Sequence, residues 1–100
     1  MKVLTVCAAG TVRSGSMALA SKQHGNPDTI QCGVDSNSPA TLRMLEGWAD
    51  QIWIAESAMA DHFLAKEKIV DMALGPDRWG IPLHPDLMAL LERRLAGDRS

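Results

Sequence analysis

The stretch Cys7-Ala8-Ala9-Gly10-Thr11-Val12-Arg13-Ser14 brings together a thiol, five mostly small residues, a guanidinium and a hydroxyl. Small residues let the backbone N–H groups of Ala8, Ala9, Gly10, Thr11 and Val12 turn inward as a nest for a phosphate-like anion. A helix starting behind such a loop adds its positive end, and the planar fork of Arg13 matches two phosphate oxygens. The same field favours thiolate at Cys7, since a free thiol with a pKa of about 8.5 drops in such settings. Cys7 is therefore expected to be a nucleophile or phosphate carrier, with Ser14 hydrogen-bonding its sulfur and stabilising it as a leaving group. Taken alone, Cys7 reads as a small buried hydrophobe; the strand, loop and helix around it set it apart.

Those residues need elements to hold them. Val3 to Val6 is a short apolar run that reads as a strand, and Ser14 to Ser21 reads as a helix ended by Gly25-Asn26-Pro27. Thr29 to Cys32 is a weaker strand, and Asp35-Ser36-Asn37-Ser38 is a turn cluster. Ser38 and Pro39 cap and open a second helix with Leu42, Leu45 and Ala49 on its apolar face. Gln51 to Ala55 is a strand, and Glu56 to Leu64 returns to helical composition, with Met59 and Phe63 four residues apart. Ile69 and Val70, with Met72 and Ala73, form a last strand before a loop from Gly75 to Pro82. Pro85 then opens a helix with Leu87, Leu90, Leu91 and Leu95 on one face.

Alternating strands and helices predict one three-layer α/β domain over residues 1–100, with a central, mostly parallel four-stranded sheet and helices on both faces. Ligands in such sheets bind at the carboxyl ends of strands, which directs attention to the loop after the first strand. Composition agrees: 46% hydrophobic and 22% charged residues over 100 positions describe an ordinary globular chain. A net charge of -2 gives no reason to expect nucleic acid or an anionic membrane as partner. With no long apolar run, the expected compartment is the cytoplasm, where Cys7 and Cys32 stay thiols. His24, His62 and His84 have no metal-ligand spacing, so neither a metal nor another cofactor is expected.

Cysteine, five residues and Arg-Ser directly after an N-terminal strand resembles the signature of the low-molecular-weight protein tyrosine phosphatases. The likeness is closest to a short bacterial and phage-borne branch of predicted tyrosine phosphatases and extends through Trp48-Ala49-Asp50-Gln51-Ile52-Trp53-Ile54. It implies Cys7 as nucleophile, Arg13 as phosphate ligand and Ser14 as the thiolate-stabilising hydroxyl. It also implies a general acid on a late loop, where Pro76-Asp77-Arg78-Trp79 is the matching neighbourhood. Asp77 is the chosen acid, with a turn-forming role as its simpler reading, and Trp79 is expected to wall the pocket against an aromatic substrate ring. Asp71 is the weaker acid candidate, inside an apparent strand. Three positions depart from the pattern: Gly10 replaces a loop-bracing asparagine, Val12 a second loop cysteine, and Gly15 a proline after Arg-Ser.

The function implied is hydrolysis of phosphotyrosine or a similar aryl phosphate through a phosphocysteine. The partners are then a phosphorylated protein or small aryl phosphate, with inorganic phosphate or vanadate competing. Three alternatives stand beside it. A phosphocysteine carrier resembling a sugar-phosphotransferase IIB component would hold phosphate rather than release it. An anion-binding regulatory module would keep the loop without efficient turnover. Arsenate reduction would need resolving cysteines, and only Cys32 is available.

Overall fold

Every residue from Val3 to Cys7 is buried, as an apolar run covered on both faces of a parallel sheet should be. The computed structural model describes residues 1–97, so 98–100 of the expected domain lie outside the described residues. In chain order the elements are β1 (Val3–Cys7), α1 (Val12–Gln23), β2 (Thr29–Gly33), α2 (Pro39–Trp48), β3 (Gln51–Ile54), β4 (Ile69–Asp71) and α3 (Pro85–Leu95). Two 3-10 segments, Ser57–His62 and Lys66–Lys68, join β3 to β4. The strands pair β2-β1-β3-β4, and all three pairings are parallel, so the sheet is wholly rather than mostly parallel.

From β1 the chain moves outward to β2 and then back across to β3, so right-handed crossovers put α1 on one face and α2 on the other. α3 packs beside α1. The direction of travel reverses at β1, and the carboxyl end of that strand is where such sheets leave a crevice. Side chains alternate across a strand. Thr5 and Cys7 point towards α1, where Thr5 Oγ1 donates to the Ser14 carbonyl at 2.8 Å; Leu4 and Val6 point the other way. No helix among the described residues is long and apolar enough to cross a membrane.

Three expectations need correction. α1 starts at Val12, two residues before Ser14, so Arg13 and Ser14 ride on its first turn rather than in the loop. The segment after β3 is a 3-10 helix of six residues, not an α-helix to Leu64. Phe63 leaves it in an extended conformation, with φ -125° and ψ 147°, because that places its ring in the core at 1% exposure. β4 ends at Asp71 instead of reaching Ala73; Ala73 adopts a left-handed φ of 52°, and its N–H donates to Asp71 Oδ1 at 2.8 Å.

Glu46 on α2 ties that layer together. Its Oε2 accepts from the N–H groups of Leu64 and Ala65, each at 2.6 Å, and its Oε1 accepts from Arg43 Nη1 at 3.0 Å. Burial alone would raise its pKa, but the two backbone bonds and then Arg43 outweigh that and hold the carboxyl below its usual value.

Candidate active site

The loop from Cys7 to Thr11 is fixed by its carbonyls. Val34 N–H donates to Cys7 O and Asp35 N–H to Ala8 O, both at 2.9 Å. Ser36 Oγ donates to Ala9 O and Gln31 Nε2 to Gly10 O, again at 2.9 Å each. Thr11 O accepts from Gly15 N–H at 2.9 Å. Five successive carbonyls are thus tied outside the loop or into the helix, and a peptide whose C=O is held outward presents its N–H inward. The bracing that the sequence lacked at Gly10 comes from Gln31 to Ser36, a segment the sequence showed only as a strand end and a turn cluster.

Two glycines permit the approach. Gly10 has φ +82°, and a Cβ there would lie 2.8 Å from Gly33 N. A Cβ on Gly33 would lie 2.5 Å from both Ala9 C and Ser36 Oγ. The backbones of the two loops therefore touch, and Gly33 belongs to the site although nothing in its sequence context marked it. Gly15 is different: a Cβ there would meet only the Gln31 side chain, at 3.4 Å or more.

Cys7 sits at the centre of this loop, buried to 3% exposure. Its Sγ is hydrogen-bonded to Ser14 Oγ at 3.2 Å and accepts from Gly10 N–H at 3.3 Å. Burial opposes ionisation, yet the Ser14 hydroxyl and the N–H groups of Ser14, Gly10 and Thr11 together hold the thiol below its ordinary pKa. Cys32 behaves oppositely: burial and then the neighbouring charge of Cys7 push it up to about 12. Cys32 is in register with Val6, on the other face of the sheet, and both thiols are free.

Arg13 is 4% exposed. Its Nη1 forms an ion pair with Glu56 and donates to Gly75 O at 2.6 Å. Nε and Nη2 make no hydrogen bond among the described residues, and among those residues no buried side-chain polar atom lacks a partner. The Nε–Nη2 edge is thus left without a protein acceptor, and it is the fork edge that an oxyanion needs. Glu56, at the start of the segment after β3, went unnoticed in the sequence because its role exists only across the fold.

The α1 N-terminus stays open as well. Thr11 makes no side-chain cap bond, whereas Ser38 Oγ accepts from Thr41 N–H at the start of α2, and His84 Nδ1 accepts from Asp86 N–H at the start of α3. The first-turn N–H groups of α1 have no intrahelical acceptor and point at the same space as Cys7 Sγ.

The late loop is arranged otherwise. Asp77 is exposed, and its Oδ1 accepts from the N–H groups of Trp79 and Gly80, at 3.0 and 3.2 Å. That is the turn-forming role; nothing joins its carboxylate to Cys7. Trp79 carries the Arg78 guanidinium 4.3 Å from its ring centroid and lines a cleft against α3 that Cys7 does not line. Asp71 closes its own turn on Ala73. The structure thus gathers Cys7, Ser14, Arg13 and the loop backbone, and leaves Asp77 and Trp79 outside that group.

No protein family and no curated protein matches this chain at the level of sequence. Among solved structures, that of a YwlE mutant from Bacillus subtilis aligns over 97% of this chain and 97% of its own, with a TM-score of 0.61 and 17% sequence identity. The chain thus has the fold of YwlE, a low-molecular-weight protein tyrosine phosphatase.

Proposed function

We propose that this protein is a cysteine-dependent phosphatase of the cytoplasm that hydrolyses phosphotyrosine, or a similarly accessible aryl phosphate, through a phosphocysteine intermediate. One observation carries the reading: the Cys7 thiol, its pKa lowered, lies in a loop whose carbonyls are tied away from it. The loop N–H groups, with Arg13 Nε and Nη2, hold the three non-bridging phosphate oxygens. Cys7 Sγ attacks phosphorus; the S–P bond forms as the P–O bond to the aryl group breaks, and Asp77 gives its proton to the departing oxygen. Water then attacks the adduct, Asp77 takes back a proton, and phosphate leaves as the Ser14 hydroxyl donates to the returning thiolate. Asp77 keeps its turn if it acts through Oδ2, whereas acting through Oδ1 requires the late loop to release Trp79 and Gly80 when substrate binds.

The test combines labelling with turnover. Iodoacetate at neutral pH should modify Cys7 well before Cys32, and inorganic phosphate or vanadate should slow that reaction. Nitrophenyl phosphate should be hydrolysed by the native protein and not by Cys7→Ser, with a loss of at least about 10⁴-fold. Equal labelling of both thiols, untouched by phosphate, sinks the assignment of Cys7. Protection by phosphate without turnover reduces the protein to an anion-binding module, and a stable phosphocysteine makes it a carrier.

A further inference from the structure

The proposed reaction leaves unused a cleft of about 400 Å³ between the late loop and α3, lined by Arg78, Trp79, His84, Asp86, Leu90 and Arg93 among others. We propose that it receives a carboxylate side chain of the protein substrate, close in sequence to the phosphorylated residue; this rests on the phosphatase reading above. Charge is the first argument. The chain carries a net -2, yet this cleft has two guanidiniums against one carboxylate, that of Asp86. His84 Nδ1 is occupied as the acceptor of the Asp86 N–H at 3.1 Å.

The two arginines differ. Arg78 is held in place: Nη1 donates to Leu74 O at 3.2 Å, and the guanidinium stacks on Trp79 at 4.3 Å. Arg93 is exposed on the last turn of α3 and makes no hydrogen bond or ion pair among the described residues. A fixed cation and an unpaired one, beside an indole and Leu90, suit the carboxylate and methylenes of an acidic side chain.

Position is the second argument. The loop that forms one wall of the cleft is pinned at both ends to the start of α1. Gly75 O accepts from Arg13 Nη1 at 2.6 Å, and Leu83 N–H donates to Ser16 Oγ at 2.9 Å. Leu83 is held there at a left-handed φ of 63°. One short segment therefore links the phosphate-gripping arginine to the cleft, and an extended peptide with its phosphate in the nest passes along it. Ile81 and Leu83 on that segment are exposed at 58% and 48% and offer the peptide apolar surface.

The experiment uses two phosphotyrosine peptides that differ only in flanking residues, glutamates in one and glutamines in the other, with nitrophenyl phosphate as a substrate too small to reach the cleft. The acidic peptide should show roughly two- to fivefold higher kcat/KM, the scale of an exposed ion pair, and the advantage should shrink in high salt. Arg93→Glu should abolish or reverse the preference and leave nitrophenyl phosphate hydrolysis unchanged. Calorimetric binding of both peptides to the Cys7→Ser protein reads docking independently of turnover. Equal affinity for the two peptides there, or a preference that survives Arg93→Glu, overturns the docking site. Absence of nitrophenyl phosphate hydrolysis in the native protein overturns the hydrolase reading instead.

Discussion

The two loops that the proposed reaction requires are built to different standards. From Cys7 to Thr11, every carbonyl has a partner outside the nest or in the helix, and Gly10 and Gly33 bring two backbones into contact. From Gly75 to Leu83, only the ends are anchored to α1, and Asp77 is exposed and bonded within its own turn. The first loop is organised before any ligand arrives, which is what electrostatic stabilisation of a phosphoryl group demands. The second is free to adjust, which suits a proton donor that acts only when a leaving group is present. Anion binding and proton donation should therefore be separable by mutation.

Asp77→Asn is the sharpest way to separate them. Asparagine keeps the Oδ1 acceptor for Trp79 and Gly80 and removes the acid, so the turn survives. Phosphotyrosine hydrolysis should fall on the order of 10²–10⁴-fold, as for other general acids, while nitrophenyl phosphate, with its better leaving group, should be far less affected. Vanadate inhibition should not change. If neither substrate responds and Asp71→Asn abolishes turnover, the acid belongs to Asp71.

Gly33→Ala attacks the other loop without touching a reacting group. Its Cβ would lie 2.5 Å from Ala9 C, so the β2–α2 segment must move and release the carbonyls it holds. We expect a loss of about 1–3 kcal/mol in urea unfolding, typical of overpacking, with weaker vanadate inhibition. Native vanadate affinity in this variant would show that the nest holds its shape without the brace.

The smallest effect is a control distant from both loops. Glu46 has a folded pKa below its unfolded one, so its contribution is fully present above the ordinary carboxylate value and is lost as pH falls through the lowered one. Glu46→Gln should cost about 1–2 kcal/mol at neutral pH, and the gap to the native protein should close only as pH falls below the ordinary carboxylate range. Vanadate inhibition should be unaffected, and a change there would tie α2 to the nest.

The difference between the loops also explains how much of this molecule could be read from residues alone. The four strands, the Ser38 cap and the Cys7–Arg13–Ser14 group were legible because strand period, capping chemistry and motif spacing are local. The supporting residues were not. Gly33, Ser36 and Gln31 matter only because β2 lies beside β1, and Glu56 only because β3 lies on its other side. Gly10 was read as a missing brace, whereas its absent side chain is what admits the brace from Gly33. Trp79 is expected at the phosphate pocket from the resemblance of the late loop, and the structure adds that it carries Arg78 on its ring and lines a cleft with α3.

The placing of the two cysteines on opposite faces of the sheet has a consequence for life with peroxide. A thiol held below its ordinary pKa is the one that oxidants find first, giving a sulfenic acid. A sulfenic acid can be rescued when it condenses with a second cysteine to form a disulfide. Here the side chain of Cys32 leaves the sheet on the side away from Cys7, its pKa is pushed up to about 12, and bridging them would require the backbone to move. Cys7 sulfenic acid is therefore left to small thiols from solution, and where these are scarce its next stop is the sulfinic acid, from which ordinary reductants do not bring it back.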